Sequence, residues 1–328
     1  QSPQPCLRGP CHPLMVSSAE HRMVFGRDNK VGDRFQLGRK LGSGSYGIVY
    51  QARDLSSQED VAVKIENAGS RHSQLLNENR IYKCLGSRQG LARVRHCGME
   101  AHHNVLVLDL LGTSLRDLFN DSGRSFSCSL ISVLADQMID LLEYVHAKGF
   151  IHRDIQPRNI MVGTAEDPNQ LSLIDFGMAK RYRDNETGRH IPYREGRLGK
   201  GAPDFSSDRA LHGVEQSRRD DLESVGWVLI YLLRGSLPWC GLTSPLRRER
   251  FVRMMEIRAS ITVEELCKGL EAESAMVDFF RHVRGLEFDE CPDYAFLRRL
   301  LAEGLSYSSA DGNTFELEWP SEGAGQGH

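Results

Sequence analysis

The feature that most constrains this chain is one short run and its distance to the next. His152-Arg153-Asp154-Ile155-Gln156-Pro157-Arg158-Asn159 is followed, sixteen residues after Asn159, by Asp175-Phe176-Gly177. The first run reads as a loop, and Leu171–Ile174 ahead of Asp175 reads as a strand. Asp154 has the chemistry to accept the hydrogen bond and proton of a hydroxyl, while Asn159 and Asp175 offer the hard oxygens that Mg²⁺ prefers. A fold that uses this chemistry must bring both turns to one cleft.

Two motifs upstream supply the other half of such a cleft. Leu41-Gly42-Ser43-Gly44-Ser45-Tyr46-Gly47-Ile48-Val49 has the pattern G-x-G-x-x-G-x-V between two β-rich runs. Glycines there let the backbone approach phosphates closely, although a plain hairpin turn explains such glycines equally well. A dinucleotide site needs a helix directly after the glycines, and here a strand follows. Fifteen residues beyond Val49, Val61-Ala62-Val63-Lys64 ends on a lysine. An edge lysine with its stem on apolar surface is the ordinary reading; the spacing instead suits a cation held against α- and β-phosphates. Glu78, on the flank of the next helix's apolar side, is the carboxylate expected to position it. Leu41, Val49 and Ala62 are expected to cover an adenine ring. Leu108-Asp109-Leu110-Leu111-Gly112 reads as a hinge whose backbone meets the base edge, although core packing would place the same residues alike.

The expected nucleotide-binding set is therefore the run Leu41 to Val49 with Ala62, Lys64, Leu108, Asp109 and Leu111. Lys64, Glu78, Asp154, Arg158 and Asn159 form the catalytic set, and Asn159 and Asp175 the metal set. Phosphoryl transfer needs positioning and charge neutralisation more than covalent help, and this set offers both to ATP and Mg²⁺.

The element pattern predicts an α+β fold of two lobes, a small antiparallel β-sheet with one helix followed by a larger, mainly α-helical part. Phe35–Leu41, Ile48–Asp54, Val61–Glu66, Leu91–Cys97 and Asn104–Leu108 read as strands, and His72 to Leu85 as the helix between them. Ser127 is a plausible N-cap for a helix closed by Gly149. Residues 220–234, DDLESVGWVLIYLLR, are apolar on nearly every face, as a helix buried inside a lobe would be. Residues 1–33, rich in Pro, Gly, Ser and His, are expected to be a disordered leader. Residues 34–305 would form the domain (34–111 and 112–305 its lobes), and 306–328 a tail. A net charge of -3 at pH 7 is too balanced to favour nucleic acid or a membrane as partner. Eight scattered cysteines without a CxxC pair fit a reducing compartment. The expectation is a cytoplasmic, also nuclear, monomer acting on protein substrates.

Beyond these motifs, the chain resembles the casein kinase 1 family of serine/threonine protein kinases from about Val31 to Leu301. RKLGSGSYG, VAVKIE, NVLVLDLLGTSLRDLF, YVHAKGFIHRDI, LIDFGMAK, HIPYRE, GVEQSRRDDLES and SLPWCGL carry the likeness. The resemblance implies serine/threonine transfer onto acidic or already phosphorylated substrates, without phosphorylation of the segment after Asp175. That segment, up to Gly201, holds few hydroxyls: Tyr182, Thr187 and Tyr193. The resemblance also implies that Asp221 anchors the catalytic-loop backbone.

Two departures from the family bear on activity. Gln156 stands where the family has a lysine that neutralises the γ-phosphate, and Arg158, four residues after Asp154, is expected to serve instead, the alternative being a solvent-facing surface arginine. The family's G-T-A-R appears as Gly201-Ala202-Pro203-Asp204, so Asp204 replaces an arginine that helps to hold a substrate anion. Arg197, Arg247, Arg248 and Arg250 remain near the matching basic positions, although a solvated helix face is the more common fate of such a charge run. These departures motivate the alternative of a catalytically weak pseudokinase acting as a scaffold.

Overall fold

The computed structural model describes residues 29–44, 47–68, 73–100, 102–163, 167–197, 201–244 and 246–306. Its first part is an antiparallel six-stranded sheet in the order β1-β2-β3-β4-β6-β5. The strands are β1 (Lys30–Val31), β2 (Phe35–Gly44), β3 (Gly47–Asp54), β4 (Asp60–Asn67), β5 (Val94–Glu100) and β6 (His103–Asp109). Period-two alternation sorts the side chains. Val61, Val63 and Ile65 of β4 join Phe35, Leu37, Tyr50, Ala52, Val105 and Val107 in a core on one face. Ala62 and Lys64, one residue out of phase, are left on the other face. The sheet reaches back into the stretch expected to be a disordered leader: Val31 pairs with Phe35 and is buried in that core. Asn29 Nδ2 donates to the Leu37 carbonyl at 3.1 Å. Burying one branched side chain and pairing one strand is enough to order these residues.

Helix Gln74–Leu85 begins at Ser73, whose side chain accepts the Leu76 N–H. It buries Leu75, Glu78, Ile81, Tyr82 and Leu85. Ser73 also donates to Glu66 at 2.5 Å, and Asn104 Nδ2 donates to Ser73 at 3.0 Å, which ties the helix start to β4 and β6. The run expected to be a strand from Leu91 starts only at Val94. Leu91 instead bridges to Leu173, because the Leu173 N–H donates to Gly90 O at 3.0 Å.

The remainder is mainly helical. Helix Cys128–Ala147 is capped by Ser127 as expected, and the chain turns away through Gly149 at φ 84°. Helix Arg218–Arg234 starts two residues before the expected Asp220, since a capping box pairs Ser217 with Asp220. All its residues from Arg218 to Leu232 are buried. It packs with helices Cys128–Ala147 and Glu273–Gly285 in a second, larger core. Among the described residues no helix is long and apolar enough to cross a membrane. The described part ends with helix Tyr294–Ser306, so the tail beyond it lies outside the described residues.

Candidate active site

Strand register builds the upper wall. Val49 lies opposite Lys64 and Lys64 opposite Leu106, while Ala62 lies opposite Leu108. Directly paired residues share a face, so Val49, Ala62, Lys64 and Leu108 line one side of the sheet. Ile48, included in the expected nucleotide set, is paired with Ile65 and packs against the opposite core. It is one residue out of phase with the wall, and the expectation is corrected. Leu41 is 41% exposed at the mouth. Gly42, Ser43 and Gly44 pair with Val49, Ile48 and Gly47 in a hairpin. Ser45 and Tyr46, at its tip, lie outside the described residues. Gly47 has φ 131°, and a Cβ there would meet the Ile65 carbonyl at 2.1 Å, so no side chain fits.

The hinge follows β6. Asp109 turns its carboxylate away from a base, to Arg93 Nε at 2.8 Å and Arg95 Nε at 2.5 Å. Its N–H donates to Arg93 O, and the Gly112 N–H to Gly163 O. Leu111, between them, makes no backbone hydrogen bond to a described residue, which leaves an N–H and a C=O for a base edge.

Lys64 is where the two parts of the molecule meet. Its Nζ donates to Glu78 Oε2 at 2.7 Å and to Asp175 Oδ1 at 2.8 Å. Desolvation opposes the ammonium, yet the two carboxylates outweigh it and hold Lys64 above its usual range. Burial pushes Glu78 up to about 7, against the pull of Lys64. Asp175 is desolvated too, but Lys64 brings it below the ordinary carboxylate range. Asp175 adopts a left-handed backbone (φ 64°), and the buried Phe176 ring behind it stacks edge-on with Tyr82 at 5.1 Å and His152 at 4.9 Å. That apolar stack fixes the turn against the helix that carries Glu78. The pairing of three aromatic rings from three elements has no signature in any one segment, and sequence reasoning missed it.

Asp221, wholly buried, holds the loop below. Its oxygens accept the N–H of His152 at 2.7 Å and of Arg153 at 2.8 Å, and His146 Nε2 lies 2.9 Å away. These bonds keep Arg153 at φ 69°, an unfavourable conformation for a non-glycine residue. Asp154 then points to Asn159, whose Nδ2 donates to Oδ2 at 2.8 Å. Two donors that sequence reasoning missed complete its shell: Gln156 Nε2 and the backbone N–H of Ala202. The second involves no side chain and leaves no sequence signal beyond the adjacent Gly201. Arg158 is exposed and has no ion pair or hydrogen bond among the described residues. Asp204 makes a different contact from the one expected: both its oxygens accept from one Arg250 nitrogen, at 2.9 and 2.8 Å. Its charge is matched within the chain and does not stand against an incoming anion. Of the hydroxyls after Asp175, Tyr182 is buried and donates to His146 O at 2.8 Å, which removes it from reach.

The donor set fits Mg²⁺ held together with phosphates. Among the described residues no group of three or more His, Cys, Asp or Glu side chains could hold a metal alone. Mg²⁺ takes one or two protein oxygens and completes its octahedron with phosphate and water. Asp175 and Asn159 Oδ1, which accepts no hydrogen bond from a described residue, are such a pair.

A glycine-rich hairpin, a lysine paired with a helix carboxylate, and an aspartate on an anchored loop together have the form of a phosphotransferase cleft. Residues 35–283 match the family model of the protein kinase domain, well over half of the chain, and the chain belongs to the protein kinase family. Membership implies ATP, typically with Mg²⁺, and protein substrates.

Proposed function

We propose that the chain is an active protein kinase of the casein kinase 1 type that phosphorylates serine and threonine. The observation that carries the activity is Lys64 bridging Glu78 and Asp175, because the lysine–carboxylate pair is what aligns the phosphates in a working kinase. Lys64 binds phosphate oxygens, Asp175 and Asn159 hold the metal, and Asp154 orients the attacking hydroxyl and receives its proton. Mg²⁺, when bound, neutralises charge on the transferring group. Arg158, exposed beside Asp154, supplies the positive charge that Gln156 lacks.

The serine/threonine assignment rests on HIPYRE and EQSRRDD, and the structure lends them a shared physical role. His190 and Tyr193 stack on Phe288 at 4.8 and 5.4 Å, and Arg219 lies over the same ring. Arg218 covers Tyr182 and donates to Asp289 O at 2.5 Å, while the Glu215 N–H donates to Arg194 O. Both motifs brace the segment after Asp175 without a phosphate group, which supports a kinase that works unphosphorylated there.

The test is transfer of labelled γ-phosphate from ATP–Mg²⁺ to casein, with phosphoamino-acid analysis. Asp154→Asn should cut kcat by a factor on the order of 10² or more while ATP binding changes little. Near-normal turnover in that variant sinks the mechanism, and phosphotyrosine as the main product sinks the serine/threonine reading. Absence of transfer by the unaltered chain favours the scaffold reading, for which Gln156, and an Arg158 with no ion pair among the described residues, are the supporting observations.

A further inference from the structure

Every acceptor direction of the Asp154 carboxylate is taken by the chain itself. Gln156 Nε2 lies 3.0 Å from both oxygens. Ala202 N–H donates to Oδ1 at 2.7 Å, and Asn159 Nδ2 to Oδ2 at 2.8 Å. An ionised carboxylate offers about four lone-pair sites, so these contacts leave none for a substrate hydroxyl. One donor has to yield before the proposed base can act.

The three donors differ in how firmly they are held. Ala202 is set by backbone: Gly201 before it has φ 103°, and a Cβ there would lie 2.5 Å from the Arg153 carbonyl. That segment lies flush on the loop. Asn159 is buried, donates a second bond to the Asp154 carbonyl at 2.9 Å, and directly precedes the short strand Ile160–Val162, with the Ile174 N–H bonded to its own carbonyl. Gln156 has neither restraint. It is partly exposed, and its side chain makes no bond among the described residues except to Asp154. Its contact is also the weakest, because one N–H₂ group is shared between two oxygens.

Resting on the kinase reading, we propose that Gln156 is a positioning residue that guards the base. Its carboxamide occupies Asp154 in the free protein and is displaced by the hydroxyl of the substrate. Asn159 and Ala202 keep the carboxylate in place during the exchange, so the base does not have to be rebuilt. The hydroxyl then trades one hydrogen bond for another and adds little to substrate affinity. A lysine at this position would present a fixed charge; a neutral amide gives a contact that is cheap to replace.

The experiment compares the full chain with Gln156→Met, similar in length without a donor, and with Gln156→Ala. Nucleotide-free protein is titrated by calorimetry with a casein-derived serine peptide and its alanine twin. The unaltered chain should bind the two peptides within about twofold. Both variants should bind the serine peptide about tenfold to a hundredfold tighter than the alanine twin, the size of one net hydrogen bond to a charged group. In turnover assays KM for the serine peptide should fall in proportion, with KM for ATP unchanged. A mere structural role for Gln156 would move both peptides, or both substrates, together. A serine preference already present in the unaltered chain and unchanged in both variants overturns the proposal, as does a rise in KM for the serine peptide. Normal transfer without the peptide contrast refutes the guard alone, whereas the contrast without transfer by the unaltered chain supports the guard and refutes the kinase reading.

Discussion

On the nucleotide side of the cleft, one ammonium joins three elements: Lys64 from β4, Glu78 from helix Gln74–Leu85 and Asp175 from the turn after Leu173. On the substrate side, Gln156 folds back on a residue two positions away, Arg158 stands in solvent, and Asp204 is matched by Arg250 at the surface. The difference follows from burial. Glu78 is 1% exposed, so a missing partner would leave a charge in a dry site, at a cost of about 3–5 kcal/mol. Arg250 and Asp204 are 38% and 23% exposed, where water replaces a lost partner and a pair is worth about 0–1 kcal/mol. A residue change on the substrate side therefore costs the fold little, whereas one on the nucleotide side costs it much.

The sharpest way to break that comparison is Lys64→Met. Turnover on casein should fall by about 10² or more, because the phosphates lose their charge partner. KM for casein should stay within about threefold, since the substrate side is built independently. A comparable loss in both would show that the two sides act as one unit.

Glu78→Gln separates stability from function on the nucleotide side. The folded protein keeps a proton on Glu78 up to about 7, whereas the unfolded chain releases it near the ordinary glutamate value of about 4.3. This group's contribution to stability is thus fully present below about 4.3 and is lost as pH rises through about 7. The neutral variant lacks that slope. Between pH 5 and 8, denaturant unfolding should show Glu78→Gln gaining roughly 1–3 kcal/mol on the unaltered chain while activity stays impaired. Parallel stability curves would mean that Glu78 stays ionised throughout and that its pairing with Lys64 outweighs burial.

On the substrate side the effects are expected to be smaller. Arg158→Ala should lower kcat by about tenfold, and Gln156→Lys added to it should restore most of the loss, a non-additive pair on one loop. Equal activity of Arg158→Ala and the unaltered chain would leave Arg158 as a surface residue.

The smallest change is expected from Asp204→Ala, which frees Arg250. KM for a phosphoserine-containing peptide should fall about threefold relative to its unphosphorylated version at low salt, through a new arginine–phosphate contact. The ratio should shrink toward one as the Debye length shortens. An unchanged ratio at both salts would show that this pair does not read the substrate.

Much of this molecule is written in local pattern. Period-two alternation in Val61-Ala62-Val63-Lys64 already places the lysine on the face away from Val63. Ser127 marks its helix, and the spacing of Asp154, Asn159 and Asp175 marks the side chains proposed for the acid–base and metal roles. The same alternation along β3 places Ile48 on the face opposite Val49. Those features depend on neighbours within a turn or a strand, where backbone geometry is nearly fixed. Tertiary structure alone decided that Asp109 faces Arg93 and Arg95, that Asp204 meets Arg250, that Val31 belongs to the sheet, and that Ala202 and Gln156 close around Asp154. Each of these depends on atoms from separate segments approaching within about 3 Å. Which polar partner a side chain finds at that range is set by how whole elements pack, and no single segment of sequence encodes that distance.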